Sequence, residues 1–194
     1  MPPLNEVPSL HELNEIEAEA RRCVACGLAA GRTKVVFAGG DAGADLMFVG
    51  EAPGRDEDLE GEPFVGRSGQ LLDRLISEEM GIDRSGYYIA NVVKCRPPGN
   101  RDPSAEEVAT CRHFLDAQIE LVSPKVIVTL GNFATRTLLQ TSEGITRLRG
   151  RVHPFRGGIA LVPTFHPSAA LRSGGSVLAE MRADLVRAKR ELAR

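Results

Sequence analysis

Tryptophan is missing from this 194-residue sequence, tyrosine appears twice and phenylalanine seven times. With so few rings available, a phenylalanine in a polar loop needs a reason, and Phe64 in "GEAPGRDEDLEGEPFVGRSGQLL" (residues 50 to 72) is such a case. No run approaches the roughly 20 apolar residues of a membrane-crossing helix, so a soluble protein without membrane partners is expected. The N-terminal "MPPLNEVPSLHELNEIEAEA" lacks the basic start and apolar stretch of a secretory signal, and the cytoplasm is the expected location. Net charge is small too, at −2, and by itself selects neither a polyanionic nor a polycationic partner. Cysteine occurs only four times, which in a cytoplasmic protein argues against a disulfide framework.

What is present has the balance of a globular domain, with 42% hydrophobic and 26% charged residues. The length suffices for one substantial core, so a single domain over residues 1–194 is expected, residues 1–20 lying partly outside the motif-bearing stretch. Charge is distributed unevenly. Residues 1–84 hold 17 acids against 8 bases, and residues 85–194 hold 9 acids against 16 bases. Gathered on one face, the later positive charges would make a footprint for nucleic acid; spread over helices such as "MRADLVRAKRELAR", they would only solvate a surface.

Hydrophobic spacing alternates between two periods along the chain. "SLHELNEIEAEARRC" has helical spacing, with Ser9 placed as N-cap and Glu12 completing a capping box. "ADLMFVG", "YYIANVV", "KVIVTLG" and "GGIALVPTFHP" are short apolar runs, each followed by turn residues and a helical pattern. Of those helices, "SAEEVATCRHFLDAQIELV" carries Ser104 and Glu107 as a second capping box. Continuous apolar strands are covered on both faces. The expected fold is therefore an α/β three-layer α/β/α sandwich around a central four-stranded, mostly parallel sheet. In such sheets ligands sit beyond the carboxyl ends of the strands. There stand "GEAPGRDEDLEGEPFVG", "NVVKCRPPGNRDP", "LGN" and "FHPSAALR", with Glu51, Phe64, Asn91, Asn100 and His166 exceeding what turns require.

Cys23 and Cys26 form a C-x-x-C pair in the polar "RRCVACGLAAGR", while Cys95 and Cys111 are far apart in sequence. Four such residues are metal-ligand arithmetic, fitting Zn²⁺ or an iron-sulfur cluster. Spacing does not separate the two. Four buried thiols packing as small hydrophobes is the bland alternative.

Together, "GEAPGRDED" with "GEPFVGRSGQLL", "NVVKCRPPGNRDP", "TLGNFA", "TFHPS" with Leu171 and Arg172, and the four cysteines resemble the family 4 uracil-DNA glycosylases, iron-sulfur members of the uracil-DNA glycosylase superfamily. The resemblance runs from about residue 20 to the C-terminus, and its motifs occur in order. It implies a four-stranded parallel sheet, a structural 4Fe-4S cluster held by Cys23, Cys26, Cys95 and Cys111, and hydrolytic excision of uracil from single- and double-stranded DNA during base excision repair.

Enzymes acting on a base extrude it and hold it by stacking and edge contacts. By resemblance, Phe64 stacks on uracil, Asn91 reads its edge, and His166 faces the 2-carbonyl oxygen with help from backbone N–H groups around Gly50, Glu51 and Ala52. Glu57 in the first loop is assigned to excluding the thymine methyl. Some superfamily relatives carry aspartate where this chain has Ala52, so water activation or positioning passes to Glu51 and Asn100. Arg67, Ser68, Arg96, Arg101, Ser168 and Arg172 are phosphate-contact candidates, and Leu171 is a candidate wedge into the base stack. The basic "RLRGR" at 147–151 is read either as an extension of that surface or as a charge-protected edge strand. A monomer is expected, and no motif specifies a protein partner such as a sliding clamp. Two rival readings are a uracil-DNA trap, which in some relatives uses an inserted histidine loop absent from "PPGNRDPS", and a zinc-dependent hydrolase.

Overall fold

A computed structural model describes residues 8–194. Helix α1 (Pro8–Arg22) leads through the C-x-x-C segment to strands β1 (Gly39–Gly40) and β2 (Leu46–Gly50). Then come α2 (Arg55–Glu60), α3 (Arg67–Met80), β3 (Tyr88–Asn91), α4 (Ala105–Val122), β4 (Val126–Leu130) and α5 (Asn132–Leu139). The chain closes with α6 (Ile145–Leu148), β5 (His153–Pro154), β6 (Ala160–Thr164), α7 (Pro167–Ser173) and α8 (Gly175–Leu192).

All strands belong to one sheet in the order β1-β3-β2-β4-β6-β5. The inner β3, β2, β4 and β6 are mutually parallel, as the apolar runs predicted. The sheet has six strands rather than four, because two-residue antiparallel strands flank it on both edges. Two residues of Gly or His-Pro carry no hydrophobic period, so nothing in the pattern marked them.

Side chains alternate across the sheet and both faces are covered. Met47, Val49, Ala90 and Ile127 pack into one core with Leu13 of α1, Phe114 and Leu115 of α4 and Leu138 of α5. Leu46, Phe48, Ile89 and Val128 pack into the other with Leu72 and Leu75 of α3 and Met181 and Leu185 of α8. This is the three-layer sandwich expected of strands buried on both sides.

Local signals set the helix ends with mixed accuracy. The α4 capping box is present: Ser104 Oγ accepts from the Glu107 N–H at 3.2 Å, and Glu107 Oε2 accepts from the Ser104 N–H at 2.8 Å. The Ser9 cap falls on a side chain outside those described; α1 is described from Pro8 onward. "RLRGR" is not an edge strand. Its first half lies in α6, and Arg149 turns inward to pair with fully buried Asp184, Nε to Oδ2 at 2.9 Å.

Register positions the site. Gly50 lies opposite Asn91, and Leu130 opposite Thr164, so the parallel strands end at one level. From β2 the chain moves outward to β3, then returns past β2 to β4, and this reversal opens a crevice between the loops that follow β2 and β4. Replacing Ser104 by Ala is expected to cost about 1 kcal/mol, read as a lowered urea midpoint at unchanged slope. The Glu107 carboxyl, held down to about 2 chiefly by its hydrogen bonds with Arg101, adds stability above its ordinary 4.5 that is lost as pH falls through about 2. Glu107→Gln therefore lowers stability at neutral pH and flattens its acid dependence.

Candidate active site

At the strand ends a cleft of about 660 Å³ opens, within the range of small-ligand sites. Its lining draws on the segments after β2, β3, β4 and β6. Among the residues singled out by sequence, Glu51, Ala52, Glu57, Phe64, Asn91 and His166 all line it. Asn100, Arg67, Ser68, Arg101, Ser168 and Arg172 line it as well.

Gly50 makes the centre possible by having no side chain. A Cβ there would stand 2.4 Å from Asn91 Oδ1 and 2.6 Å from the Phe64 ring. Asn91, at the end of β3, is 1% exposed, and its Oδ1 is a buried acceptor without a hydrogen-bond partner among the described residues. Such an orphan is costly unless a ligand completes it. No hydrogen bond from the described residues fixes the orientation of the carboxamide.

Phe64 sits at φ +56°, a left-handed backbone unusual for a side chain of this bulk. Its ring is 7% exposed, packed into the α3 core on one side and bordering the cleft on the other. Anchoring the loop and facing a ligand are thus not alternatives for this residue. The ring centroid lies 5.9 Å from that of His166, with the planes tilted by 36°.

His166 stands two residues beyond β6 and caps α7. The Ser168 backbone N–H donates to its Nδ1 at 3.2 Å, so that nitrogen is an acceptor and the ring proton resides on Nε2. The ring is neutral, because burial drives its pKa down to about 4, with the Arg172 charge adding to the effect. Gly131, at φ +92°, allows the approach: a Cβ there would be 2.9 Å from His166 Cβ.

Burial acts oppositely on a carboxyl. Glu51 is pushed up to about 7, first by desolvation and then by the charge of, and a hydrogen bond with, Asp102. Sequence reading missed Asp102. It lies among the turn residues of "GNRDP", and only the folded loop brings it beside Glu51.

Other candidates are less free than their charge suggested. Arg101 is committed to Glu107 through two hydrogen bonds of 2.8 and 2.7 Å. Arg96 lies outside the lining and donates from Nε to Asn100 Oδ1 at 2.7 Å. Asn100 itself adopts φ +55°. Glu57 Oε1 accepts from the Gly66 N–H at 3.0 Å, stapling the first loop across its width. Leu171 stands beyond the lining, 44% exposed.

A family model described as the uracil DNA glycosylase superfamily matches residues 37–192, the whole span of these strands and loops. The chain belongs to this superfamily. It is 48% identical to the type-4 uracil-DNA glycosylase of Thermotoga maritima over 86% of its own length and 88% of that protein's. It is 43% identical to the one from Sulfurisphaera tokodaii, covering 84% and 77%. Against that of Archaeoglobus fulgidus the identity is 42%, with 84% of both chains covered. These relatives place the chain in the type-4 branch.

The four cysteines of this superfamily member line a second cavity, together with Arg32 and Lys94. Arg32 Nη1 donates to Cys95 Sγ at 3.4 Å. Burial pushes the Cys111 thiol up to about 11 despite the opposing Lys94 charge, and pushes Cys95 upward too. Metal binding there must therefore displace protons. The donor set suits a metal centre, four sulfurs with cations beside them. Among the described residues, however, no three His, Cys, Asp or Glu side chains are grouped closely enough to hold a single ion.

The imidazole tautomer is open to measurement. Nitrogen-15 spectra of His166 are expected to show a neutral ring protonated at Nε2 from pH 8 down to about 5, one unit above its titration. A charged ring at pH 6 would contradict the hydrogen bond from Ser168.

Proposed function

We propose that this protein removes uracil from DNA by hydrolysing the N-glycosidic bond, on single and double strands alike, leaving an abasic site. The observation that carries the reading is the unpartnered Asn91 Oδ1, buried in a cleft shared with Phe64 and His166. A base pocket needs this: an edge reader, a ring to stack on, and a donor for departing charge. The names printed for the type-4 relatives agree.

An extruded uracil presents its ring N–H to Asn91 Oδ1 and a neighbouring carbonyl to the amide nitrogen. Phe64 stacks on the face, where each base–aromatic contact is worth about 1–3 kcal/mol. As the glycosidic bond lengthens, negative charge collects on the uracil carbonyl. His166, neutral with Nε2–H free of its cap, donates to it, and the backbone N–H groups at the start of α3 and α5 favour an anion in the same cleft. The stapled first loop with Glu57 forms the wall that excludes the thymine methyl.

Water attack on the sugar falls to Glu51. Its carboxyl titrates near neutrality, and with Asp102 it holds and deprotonates the water, while Asn100 keeps the following loop in place. Arg67, Ser68, Ser168 and Arg172 bind phosphates, and Leu171 fills the space left by the extruded base. Arg101, held by Glu107, shapes the loop at the edge of this surface.

Cys23, Cys26, Cys95 and Cys111 hold a 4Fe-4S cluster with a structural role, tying the segment after α1 to the loop after β3 and to α4. No electron transfer is needed, since glycoside hydrolysis is not a redox reaction. A DNA substrate and cysteines outside any disulfide fit work in a reducing compartment, the cytoplasm.

The decisive experiment is product analysis with oligonucleotides bearing uracil, thymine, cytosine or hypoxanthine, with iron, sulfide and zinc measured on the same preparation. Many turnovers on uracil and iron with sulfide are expected. A single heat-resistant adduct per chain would show a trap instead, and zinc alone would remove the cluster.

Replacing His166 by Ala is expected to lower single-turnover excision by about 100- to 1,000-fold, the loss typical of one oxyanion donor. Ionised Glu51 is the active form, so the excision rate rises with pH toward about 7 and then levels. Glu51→Gln should lower the plateau and abolish that rise. A Gln variant that keeps the acid limb would assign it elsewhere.

A further inference from the structure

Lys94 lies between the two cavities. Its side chain is 1% exposed, and every other lysine among the described residues is solvent-exposed. Among the described residues no carboxylate pairs with it. Its Nζ donates to the backbone oxygen of Asn91 at 2.7 Å and to Gln118 Oε1 at 2.5 Å, both neutral acceptors. Gln118 is itself fixed, donating from Nε2 to Phe37 O and to the Tyr88 hydroxyl at 3.0 and 3.1 Å. The ionisable groups that Lys94 faces are the cysteines: Cys111, whose sulfur accepts from the Lys94 backbone N–H, and Cys95, its neighbour in sequence.

An ammonium buried among neutral acceptors lacks its counter-charge. Four thiolates around an oxidised 4Fe-4S core leave two negative charges in excess. Arg32 and Lys94 are the two cations lining that cavity.

We propose that Lys94 is a positioning residue coupling the metal centre to the base reader. Its ammonium balances the thiolates on one side, and on the other holds the Asn91 carbonyl, setting the strand end from which the Asn91 carboxamide meets the base. The proposal rests on the cysteines being a metal centre and on the cleft being a uracil site. It goes beyond both in making the retention of one and the affinity of the other depend on a single buried side chain.

The test uses holoprotein and the variant Lys94→Met, unbranched, one atom shorter and uncharged, with two readouts apart from turnover. One is the dissociation constant for free uracil, with free thymine as control. The other is the rate of metal loss to a chelator. Loss of the ammonium is expected to weaken uracil binding about tenfold, the worth of one charge-assisted hydrogen bond. Metal departs about tenfold faster, as when a hydrogen-bonding neighbour of metal ligands is removed. A folded variant matching the wild type in either measurement overturns the coupling.

Should Lys94→Met fail to fold, Gln118→Glu carries the test. It keeps an acceptor for the ammonium but claims its charge, so metal loss accelerates while uracil affinity holds, and unchanged metal retention overturns the proposal. A wild-type protein without metal, or without affinity for uracil, sinks the underlying reading instead, before any variant is compared.

Discussion

The level at which four parallel strands stop is the constraint from which the cleft follows. Gly50 ends opposite Asn91 and Leu130 opposite Thr164, so side chains from segments far apart in sequence are delivered to one place without any dedicated scaffold. A shift of one residue in the β2–β3 ladder would point Asn91 to the other face of the sheet. The close pairing also demands an empty position beside it, which Gly50 supplies.

One dry environment then serves two opposite ends. Removal from water disfavours charge, whichever sign it has. It keeps the His166 ring neutral, a donor through Nε2, and it keeps the Glu51 carboxyl within reach of its acid form near neutral pH. Neither residue carries this information in its sequence neighbourhood. The Ser168 N–H that decides the tautomer comes from the His-Pro-Ser turn, where the proline starts α7 and aims the following N–H back at the ring.

Much of this was legible beforehand, for physical reasons that differ between elements. Parallel strands showed as unbroken apolar runs because both of their faces are covered. The α4 start showed because its capping box is a local hydrogen-bond pattern. The two edge strands and α2 were not legible, since their lengths are too short for any period to register. Phe64, Asn91 and His166 stood out as chemistry in excess of turn formation, and they do meet in one cleft. Asp102 and Lys94 did not stand out. A carboxyl or an ammonium in a loop is ordinarily solvated, and only the fold reveals that one lies against Glu51 and the other is sealed beneath Asn91. The partners of Arg101 and Arg96 were hidden for the same reason: the first pairs with Glu107, and the second donates to the Asn100 amide oxygen.

The left-handed backbone at Phe64 has a bearing on how this protein can change. A large L-residue in that region gives up about 1–2 kcal/mol of local stability, which the packing of its ring in the α3 core must offset. Glycine would relax the backbone and remove the ring, while a polar residue would keep the tension and lose the packing. Efforts to toughen the molecule by easing this one conformation would therefore trade away the stacking surface, and hardening is better sought at surface helices remote from the cleft.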